Sequence, residues 1–180
     1  MRAILLDRDG VINRERADYV KRWQEVELLP GVLTALQRLA ALAIPILVIT
    51  NQSAIGRGIV QAETVAALHE QLRTVVAQAG GRIDAFFVCP HHPADGCLCR
   101  KPQPGLLRQA AAQFHFALDQ AVFIGDAITD FQAARAAGCR SILVKSGRQG
   151  AALAELLAGE TTPPLLVADL AAAVDLLLTE

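Results

Sequence analysis

The chain has 180 residues, of which 53% are hydrophobic, and its 17 lysines and arginines almost balance its 18 aspartates and glutamates. This length and apolar content suit one folded domain with a sizeable core and exclude a disordered chain. The formal net charge of −1 argues against a protein whose main partner is nucleic acid.

No segment has the pattern of a membrane span or a secretion signal. The best apolar run, Leu39–Ile49, contains Pro45 and falls well short of the roughly 18 residues that indicate a membrane helix. Charged residues follow soon after Met1, which leaves no apolar stretch for a signal peptide. We therefore expect a cytoplasmic protein without a membrane partner.

Apolar strands alternate with helical patterns along the chain, beginning with a strand predicted over residues 3–7. The other predicted strands cover residues 45–50, 84–88, 121–125 and 141–145, and one short strand lies near the C-terminal end. Strands that alternate with helices in this way predict the α/β class. We expect a three-layer, Rossmann-like parallel sheet with helices on both faces.

Helices are predicted in the intervals between strands from apolar residues at helical spacing. The first helix follows Pro30-Gly31, the third begins near Pro104, the fourth has Thr129 as its N-cap, and the last begins at Asp169. Gly80-Gly81 ends the second helix and Gly138 ends the fourth. The intervals are too short for a separate cap domain. We expect a single capless domain over residues 1–180.

Polar motifs follow three of the predicted strands, at the edge where parallel sheets bind ligands. Asp7-Arg8-Asp9-Gly10 follows the first strand, Thr50-Asn51-Gln52-Ser53 the second, and Gly125-Asp126 with Asp130 the fourth; Lys101 precedes the third helix. Each motif alone is equally well explained as a turn or a cap. Together they predict carboxylates around Mg²⁺, with a lysine and a hydroxyl beside it that would receive a phosphoryl group.

Three of the four cysteines lie in one proline- and glycine-rich loop, residues 89–99, with the pattern C-x-H-x₅-C-x-C. Crowded cysteines in a reducing compartment indicate metal ligation rather than disulfides. Cys89, Cys97, Cys99 and one histidine complete a tetrahedral set, which predicts a structural zinc site. Spacing alone leaves the choice between His91 and His92 open.

The order of these motifs resembles that of the haloacid dehalogenase superfamily of phosphatases. DxDGxxN, a strand-end Thr-Asn-Gln, Arg-Lys-Pro and Gly-Asp-x-x-x-Asp match over roughly residues 3–145. Within the superfamily, the motifs and the Cys-x-His…Cys-x-Cys loop resemble the heptose bisphosphate and histidinol-phosphate phosphatases, and this likeness favours His91 as the zinc ligand. The resemblance implies a Mg²⁺-dependent phosphoric monoester hydrolase that works through an aspartyl-phosphate intermediate.

The resemblance also implies roles for the matching carboxylates. Asp7 is the expected nucleophile, and Asp9 the expected general acid and then general base. Asp7, the backbone carbonyl of Asp9 and Asp126 are the expected Mg²⁺ ligands, while Asp130 is expected to orient Lys101 or a metal-bound water. Proton donation by Asp9 near pH 7 requires a raised pKa, which crowding by other carboxylates is expected to produce.

The remaining implied roles concern the substrate. Thr50 and Lys101 are expected to bind the phosphoryl oxygens. Further substrate contacts are expected from the short loops around the site, through Tyr19, Asn51, Gln52, Ser53 and Arg100. Arg14 belongs to one of these loops as well. Three arginines in or next to the loops (Arg16, Arg57 and Arg100) favour a second anionic group and hence a bisphosphate.

We expect the chain to remove the 7-phosphate of D-glycero-D-manno-heptose 1,7-bisphosphate. We also expect it to act as a monomer whose only binding partner is this small phosphorylated substrate. The alternatives are histidinol phosphate, whose amine would favour an acidic selector loop, and another small phosphomonoester. Val11 and Ala127 depart from the heptose pattern, which usually has Thr at the first position and often Lys at the second.

The non-enzymatic alternative is a zinc-binding interaction module that has lost its activity. Such a module should lack at least one of the expected catalytic or metal-binding residues, and none is missing from this sequence. His69 is interpreted as a structural residue of a predicted helix.

Overall fold

The computed structural model describes residues 1–179, and its centre is a six-stranded parallel sheet. The strands are β1 (Ala3–Leu6), β2 (Ile46–Asn51), β3 (Ala85–Cys89), β4 (Ala121–Gly125), β5 (Arg140–Val144) and β6 (Leu165–Val167). Their order across the sheet is β3-β2-β1-β4-β5-β6, so that strand order reverses beside β1. This is the doubly wound Rossmann order, and the predicted fold class is confirmed.

Seven α-helices connect or follow the strands in the described residues. They are α1 (Val32–Ala40), α2 (Ser53–Gly56), α3 (Ala62–Gln78), α4 (Gly105–Phe114), α5 (Ile128–Ala137), α6 (Leu153–Leu156) and α7 (Leu170–Thr179). Short 3₁₀ helices cover Trp23–Glu25, Pro93–Asp95 and Leu118–Gln120. Within residues 1–179, no helix combines the length and the apolar character that crossing a membrane requires.

Two hydrophobic cores lie on opposite faces of the sheet, and β1 contributes to both. Ile4 and Leu6 pack in the core under α1, α3 and α7, whereas Ala3 and Leu5 pack in the core under α4 and α5. This alternation follows from the period of two in a strand. Because β1 is central and wholly buried, the chain leaves it in the middle of the carboxyl edge, where Asp7 begins the site.

The main correction to the predicted elements concerns the start of α5. Thr129 is not its N-cap, because the helix begins at Ile128 with Ala127 as the N-cap residue. The capping group is instead the Asp130 carboxylate, whose Oδ2 accepts hydrogen bonds from the backbone N–H groups of Ala127 and Asp126, each at 3.0 Å. A carboxylate in the first turn can thus satisfy the free N–H groups from inside the helix.

The other differences are small shifts of boundaries and short unpredicted helices. The first helix ends at Ala40, earlier than the helical spacing of its apolar residues predicts. β2 and β3 each begin one residue later than predicted and β5 one residue earlier. α2 and α6 have four residues each, too few for a periodic apolar pattern.

Candidate active site

The carboxyl edge of the sheet borders a cavity of about 340 Å³, which brings the polar motifs together. Asp7 and Asp9 follow β1, Thr50 lies within β2, and Asp126 follows β4. The sequence-predicted residues that line this cavity are Asp7, Asp9, Tyr19, Thr50, Asn51, Gln52, Ser53, Arg100, Lys101, Asp126 and Asp130. The four predicted zinc ligands do not line it and lie in the neighbouring loop.

Lys101 is the buried cation of the site, with 3% of its surface exposed. Its Nζ lies 2.8 Å from Asp7 Oδ2 and 2.8 Å from Asp130 Oδ1, and it donates a hydrogen bond of 2.9 Å to the carbonyl of Ile49. Burial alone would lower the pKa of Lys101, but the charges of Asp130 and Asp7 hold it above its usual value. Lys101 therefore remains an ammonium at the base of the cavity.

Asp7, Asp126 and Asp130 form a cluster in which one carboxylate oxygen of each lies within 4.8 Å of the others. Burial and then the neighbouring charges raise the pKa of Asp126 to about 9. Burial also raises the pKa of Asp7, to about 7, although Lys101 opposes the shift. Oxygen ligands that repel one another suit a hard divalent cation, so the donor set fits Mg²⁺. Both oxygens of Asp130 are already engaged, since Oδ1 contacts Lys101 and Oδ2 caps α5. Asp7 also contacts Lys101, but through Oδ2 alone.

Two glycines make room for the Asp126 carboxylate. A Cβ on Gly10 or on Gly147 would overlap Asp126 Oδ2. Gly10 also has a φ of 84°, a conformation that favours glycine, whereas Gly147 does not have a positive φ. Gly147 is therefore required for space alone. It was missed in the sequence because its loop follows β5, the next strand after β4 in the sheet, and no motif marks it.

Asp9 is surrounded by hydrogen-bond donors rather than by carboxylates. Arg8 Nη2 donates to Oδ1 at 2.8 Å and to Oδ2 at 2.6 Å, Asn13 donates to Oδ1 at 2.9 Å, and Gln52 donates to Oδ2 at 2.9 Å. Burial would raise the pKa of Asp9, but the charge of Arg8 and these hydrogen bonds lower it below its usual value. The expected raised pKa of Asp9 is therefore wrong, because the crowding acts on Asp7 and Asp126 instead.

The polar residues of β2 and the turn after it orient their neighbours in the site. Asn51 Nδ2 donates to the carbonyl of Lys101 at 3.2 Å, and Asn51 Oδ1 accepts from its N–H at 3.1 Å. Both polar atoms of the Asn51 amide thus fix the backbone that carries the lysine. Gln52 Nε2 donates to Thr50 Oγ1 at 2.8 Å as well as to Asp9. These contacts set the positions of the hydroxyl, the ammonium and the Asp9 carboxylate.

Besides the buried Arg8, four arginines line the cavity: Arg16, Arg57, Arg100 and Arg148. Arg100 Nη1 is buried and has no hydrogen-bond partner. Arg14, in contrast, pairs with Glu27 at 2.9 Å and does not line the cavity.

Arg148 and Glu15 were missed by the sequence analysis, and they form an ion pair of 2.9 Å within this cavity. The order of strands explains the position of Arg148, since the chain leaves β5 at the same edge of the sheet as it leaves β4.

The loop that follows β3 gathers Cys89, His91, Cys97 and Cys99 so that one ligand atom of each lies within 4.8 Å of the others. The three Sγ–Sγ distances are 3.2, 3.5 and 3.6 Å, and His91 Nδ1 lies 3.2 Å from the Sγ of Cys99. A tetrahedral zinc with bonds of about 2.3 Å to sulfur needs sulfur atoms about 3.8 Å apart, so the cluster has a suitable size.

His92 lies outside this cluster. Its Nδ1 accepts a hydrogen bond from the N–H of Ala94 at 3.1 Å, and its own N–H donates to Asp95 Oδ2 at 2.8 Å. These contacts cap the short helix Pro93–Asp95. Of the two histidines that spacing left open, His91 is the one that points a ring nitrogen at the thiols.

Comparison with known proteins gives consistent matches. The HAD-hydrolase-like family profile matches residues 98–173. The chain is 41% identical over 180 residues to a D-glycero-beta-D-manno-heptose-1,7-bisphosphate 7-phosphatase from Bordetella bronchiseptica. The aligned region covers 100% of this chain and 99% of the relative. This chain is also 39% identical over 154 residues to a D-glycero-alpha-D-manno-heptose-1,7-bisphosphate 7-phosphatase from Mycobacterium tuberculosis. That aligned region covers 82% of this chain and 81% of the relative.

A solved structure agrees with these matches. The crystal structure of D,D-heptose 1,7-bisphosphate phosphatase from B. bronchiseptica, complexed with magnesium and phosphate, is similar to this chain with a TM-score of 0.90. The two sequences are 40% identical, and the similarity covers 99% of each chain. Magnesium in that relative supports the fit of Mg²⁺ to the carboxylates found here.

The first prediction concerns the space around Asp126. Gly147→Ala is expected to displace the Asp126 carboxylate, because the new Cβ would overlap Oδ2, and to weaken Mg²⁺ binding by at least about tenfold, or 1.4 kcal/mol. Isothermal titration with Mg²⁺ measures this. Gly150→Ala is the control for strain, since its Cβ would meet the backbone of Lys145 instead. Equal Mg²⁺ affinity in Gly147→Ala and the wild type would contradict the role of Gly147.

The second prediction concerns pH. Both carboxyls have a usual pKa of about 3.9 when unfolded, and in the metal-free fold their pKa values rise to about 7 for Asp7 and about 9 for Asp126. The fold therefore binds more protons than the unfolded chain in this range, and the metal-free protein loses stability as pH rises from about 4 to about 9. Mg²⁺ needs both groups ionised, so the Tm increase that it causes should be larger at about pH 8.5 than at about pH 6.5.

Thermal unfolding with and without Mg²⁺ at the two pH values tests this difference. Asp126→Asn is the control, because it removes the carboxyl with the higher pKa and should remove most of the Mg²⁺ effect. A Tm increase of the same size at both pH values would show that protons and Mg²⁺ do not compete for these carboxylates.

Proposed function

The chain belongs to the HAD-like hydrolase family that includes the heptose bisphosphate phosphatases, and from this premise we propose that it removes one phosphate from a sugar bisphosphate. It is a phosphoric monoester hydrolase. The observation that carries the proposal is the pairing of Asp7 with the buried Lys101, 2.8 Å apart, at the base of a cavity with four arginines around it. One end of such a cavity suits the reacting phosphate and the other a second anion.

In the proposed first step, an Asp7 oxygen attacks phosphorus and the bond from phosphorus to the sugar oxygen breaks. Lys101 and Thr50 bind the phosphoryl oxygens, and Lys101 favours the ionised form of Asp7 that the attack requires. When held by Asp7, Asp126 and the Asp9 carbonyl, Mg²⁺ supplies positive charge that offsets the repulsion between carboxylate and phosphate. The products of this step are the sugar monophosphate, once its leaving oxygen has been protonated, and an aspartyl-phosphate.

Asp9 moves the protons in both proposed steps. Since its hydrogen-bond donors favour the ionised form, Asp9 must gain a proton before it can donate one to the sugar oxygen. The negative charge of a bound phosphate raises the pKa of Asp9 and favours that protonated state. In the second step Asp9, ionised again, takes a proton from water, which attacks the aspartyl-phosphate and releases inorganic phosphate and free Asp7.

The charges around the cavity favour a bisphosphate over histidinol phosphate. Arg100 has an unpartnered buried nitrogen, and Arg16 and Arg57 add further positive charge for a second phosphate. The amine of histidinol phosphate would meet these same arginines unfavourably. We propose D-glycero-D-manno-heptose 1,7-bisphosphate as the substrate, with loss of its 7-phosphate. The β anomer is favoured because the relative named for the β anomer aligns with the whole chain, whereas the one named for the α anomer aligns with 82% of it.

The two departures from the heptose pattern are compatible with this proposal. Val11 is fully buried in the core under α1, α3 and α7, so a threonine there is not needed to reach the substrate. Ala127 lines the cavity and supplies no cation. Arg148, which pairs with Glu15, lines the same cavity, and we propose that its guanidinium takes the place of the lysine that the heptose pattern often has at position 127.

We also propose that the cluster of Cys89, His91, Cys97 and Cys99 binds a structural zinc ion. Four protein ligands leave no open position for catalysis, which is typical of structural sites. The cluster directly precedes Arg100 and Lys101, so metal binding would fix the start of the segment that supplies both cations. The free thiols that the ion needs suit a reducing, cytoplasmic location. The proposal includes a single-domain chain that acts as a monomer.

The test of the function is Mg²⁺-dependent phosphate release from heptose 1,7-bisphosphate and from histidinol phosphate, measured side by side. We expect kcat/KM to be about 10² higher for the bisphosphate, or about 2.7 kcal/mol. Asp7→Asn should lower kcat by at least about 10³-fold, because it removes the nucleophile. No Mg²⁺-dependent release from either substrate would refute the proposed function.

A second-phosphate site at Arg100 has its own test. Arg100→Ala should raise KM for the bisphosphate by about 10- to 100-fold, the loss expected for a charged hydrogen bond, and leave KM for a simple monophosphate nearly unchanged. Arg108→Ala, an exposed arginine of α4 outside the cavity, is the matched control. A similar rise in KM for both substrates would assign Arg100 to the reacting phosphate instead.

For the metal loop, elemental analysis of the purified protein should find about one zinc per chain. Cys99→Ser should lose the zinc and, at a cost of at least about 3 kcal/mol, lower Tm by roughly 6–12 °C. Cys139→Ser is the control, because Cys139 lies outside the cluster and should keep the metal. Well under one zinc per wild-type chain would exclude the assignment.

A further inference from the structure

Arg8, between the two motif aspartates, is almost completely buried, with 4% of its surface exposed. Its Nη2 reaches both oxygens of Asp9, at 2.8 and 2.6 Å. Its Nη1 lies 3.2 Å from Nε2 of His69, a residue of α3 that is 61 positions away in the sequence. The guanidinium therefore links the Asp9 carboxylate to a histidine outside the cavity lining.

The His69 ring is held in one orientation. It is 4% exposed and stacks on Phe86 of β3, with ring centroids 4.3 Å apart and planes inclined by 6°. This stacking directs Nε2 at Arg8. Burial, followed by the positive charge of Arg8, lowers the pKa of His69 to about 3, so the ring is neutral and Nε2 accepts the hydrogen bond from Nη1.

The position of His69 is unusual for a residue that only fills space. A buried imidazole is costly unless it is hydrogen-bonded, and the partner here is a cation that directly contacts the proton-transfer carboxylate. Without His69, Arg8 Nη1 would be a buried charged donor with no acceptor. The guanidinium would then turn toward another acceptor and shift the Asp9 oxygens that Nη2 holds.

We propose that His69 is a positioning residue for proton transfer: through Arg8, it holds the Asp9 carboxylate in the orientation from which Asp9 protonates the leaving sugar oxygen. This inference rests on the proposed phosphatase function. His69 does not line the active-site cavity, and its contact with the site runs through the Arg8 guanidinium to Asp9. A shift of the carboxylate affects substrates in proportion to how much their leaving group needs a proton.

The experiment compares kcat/KM for two substrates, the sugar bisphosphate and p-nitrophenyl phosphate. The sugar alkoxide needs a proton to leave, whereas p-nitrophenolate is stable without one. Because kcat/KM covers only the steps up to departure of the leaving group, the later action of Asp9 as a base does not enter the comparison. Each substrate thus reports a different need for the acid.

His69→Leu removes the acceptor. We expect it to lower kcat/KM for the sugar bisphosphate by about 10- to 100-fold, a part of the total contribution of a general acid, and to lower it for p-nitrophenyl phosphate by less than about threefold. His69→Gln keeps an acceptor for Arg8 and should restore at least half of the loss on a logarithmic scale. Leu72→Ala, a buried change on the same helix at a side chain that cannot hydrogen-bond to Arg8, controls for destabilisation and should affect both substrates equally.

An equal fall for both substrates in His69→Leu, or no fall for either, would overturn the inference. So would the same substrate-selective loss in Leu72→Ala. These outcomes differ from failure of the proposed function, in which the wild type itself releases no phosphate in the presence of Mg²⁺. Nitrogen-15 NMR of the wild type gives an independent readout: we expect an unprotonated Nε2 and a neutral His69 ring at about pH 6, and titration near the usual value of about 6.5 would overturn the inference.

Discussion

The contact of the Lys101 ammonium with Asp7 and Asp130, each at 2.8 Å, is the interaction on which the rest of the site depends. Three buried carboxylates in one cluster repel one another, and an ammonium among them offsets part of that repulsion even without a metal. The same ammonium opposes the rise that burial causes in the pKa of Asp7, and in the proposed mechanism it binds the incoming phosphate. Lys101 thus links the stability of the carboxyl edge to its reactivity.

Several separate parts of the chain hold that lysine in place. Asn51, at the end of β2, binds the backbone of Lys101 with both polar atoms of its amide. Cys99 ends the metal loop two residues earlier, and the carbonyl of Ile49 accepts a hydrogen bond from Nζ. Since β2 is buried along Ile46–Thr50, these contacts join the flexible side chain to a buried strand of the sheet. A long cation can therefore act as a fixed charge.

The fold and most of the site could be predicted from the sequence because they depend on local patterns. Apolar runs separated by helical stripes define the parallel sheet, and its topology brings the residues after β1, β2 and β4 to one edge. The direction of the Asp9 pKa shift could not be predicted, since it depends first on the charge of Arg8 and then on donors from Asn13 and Gln52, and no spacing shows that these side chains turn toward Asp9. Arg148 was missed for the same reason, because its partner Glu15 lies in a distant segment. The contact of His69 with Arg8 is likewise not visible in the sequence.

The loop after β5 places two neighbours of opposite character side by side. Gly147 adjoins the Asp126 carboxylate and has no room for a side chain, whereas the exposed Arg148 extends into the outer cavity and contacts Glu15. During divergence of such enzymes, position 147 would stay constant while position 148 changed with the substrate. A position that preserves the proposed metal site is thus adjacent in the chain to one that can change substrate selectivity. Variants randomised at position 148 alone should therefore differ in substrate preference and keep the metal site.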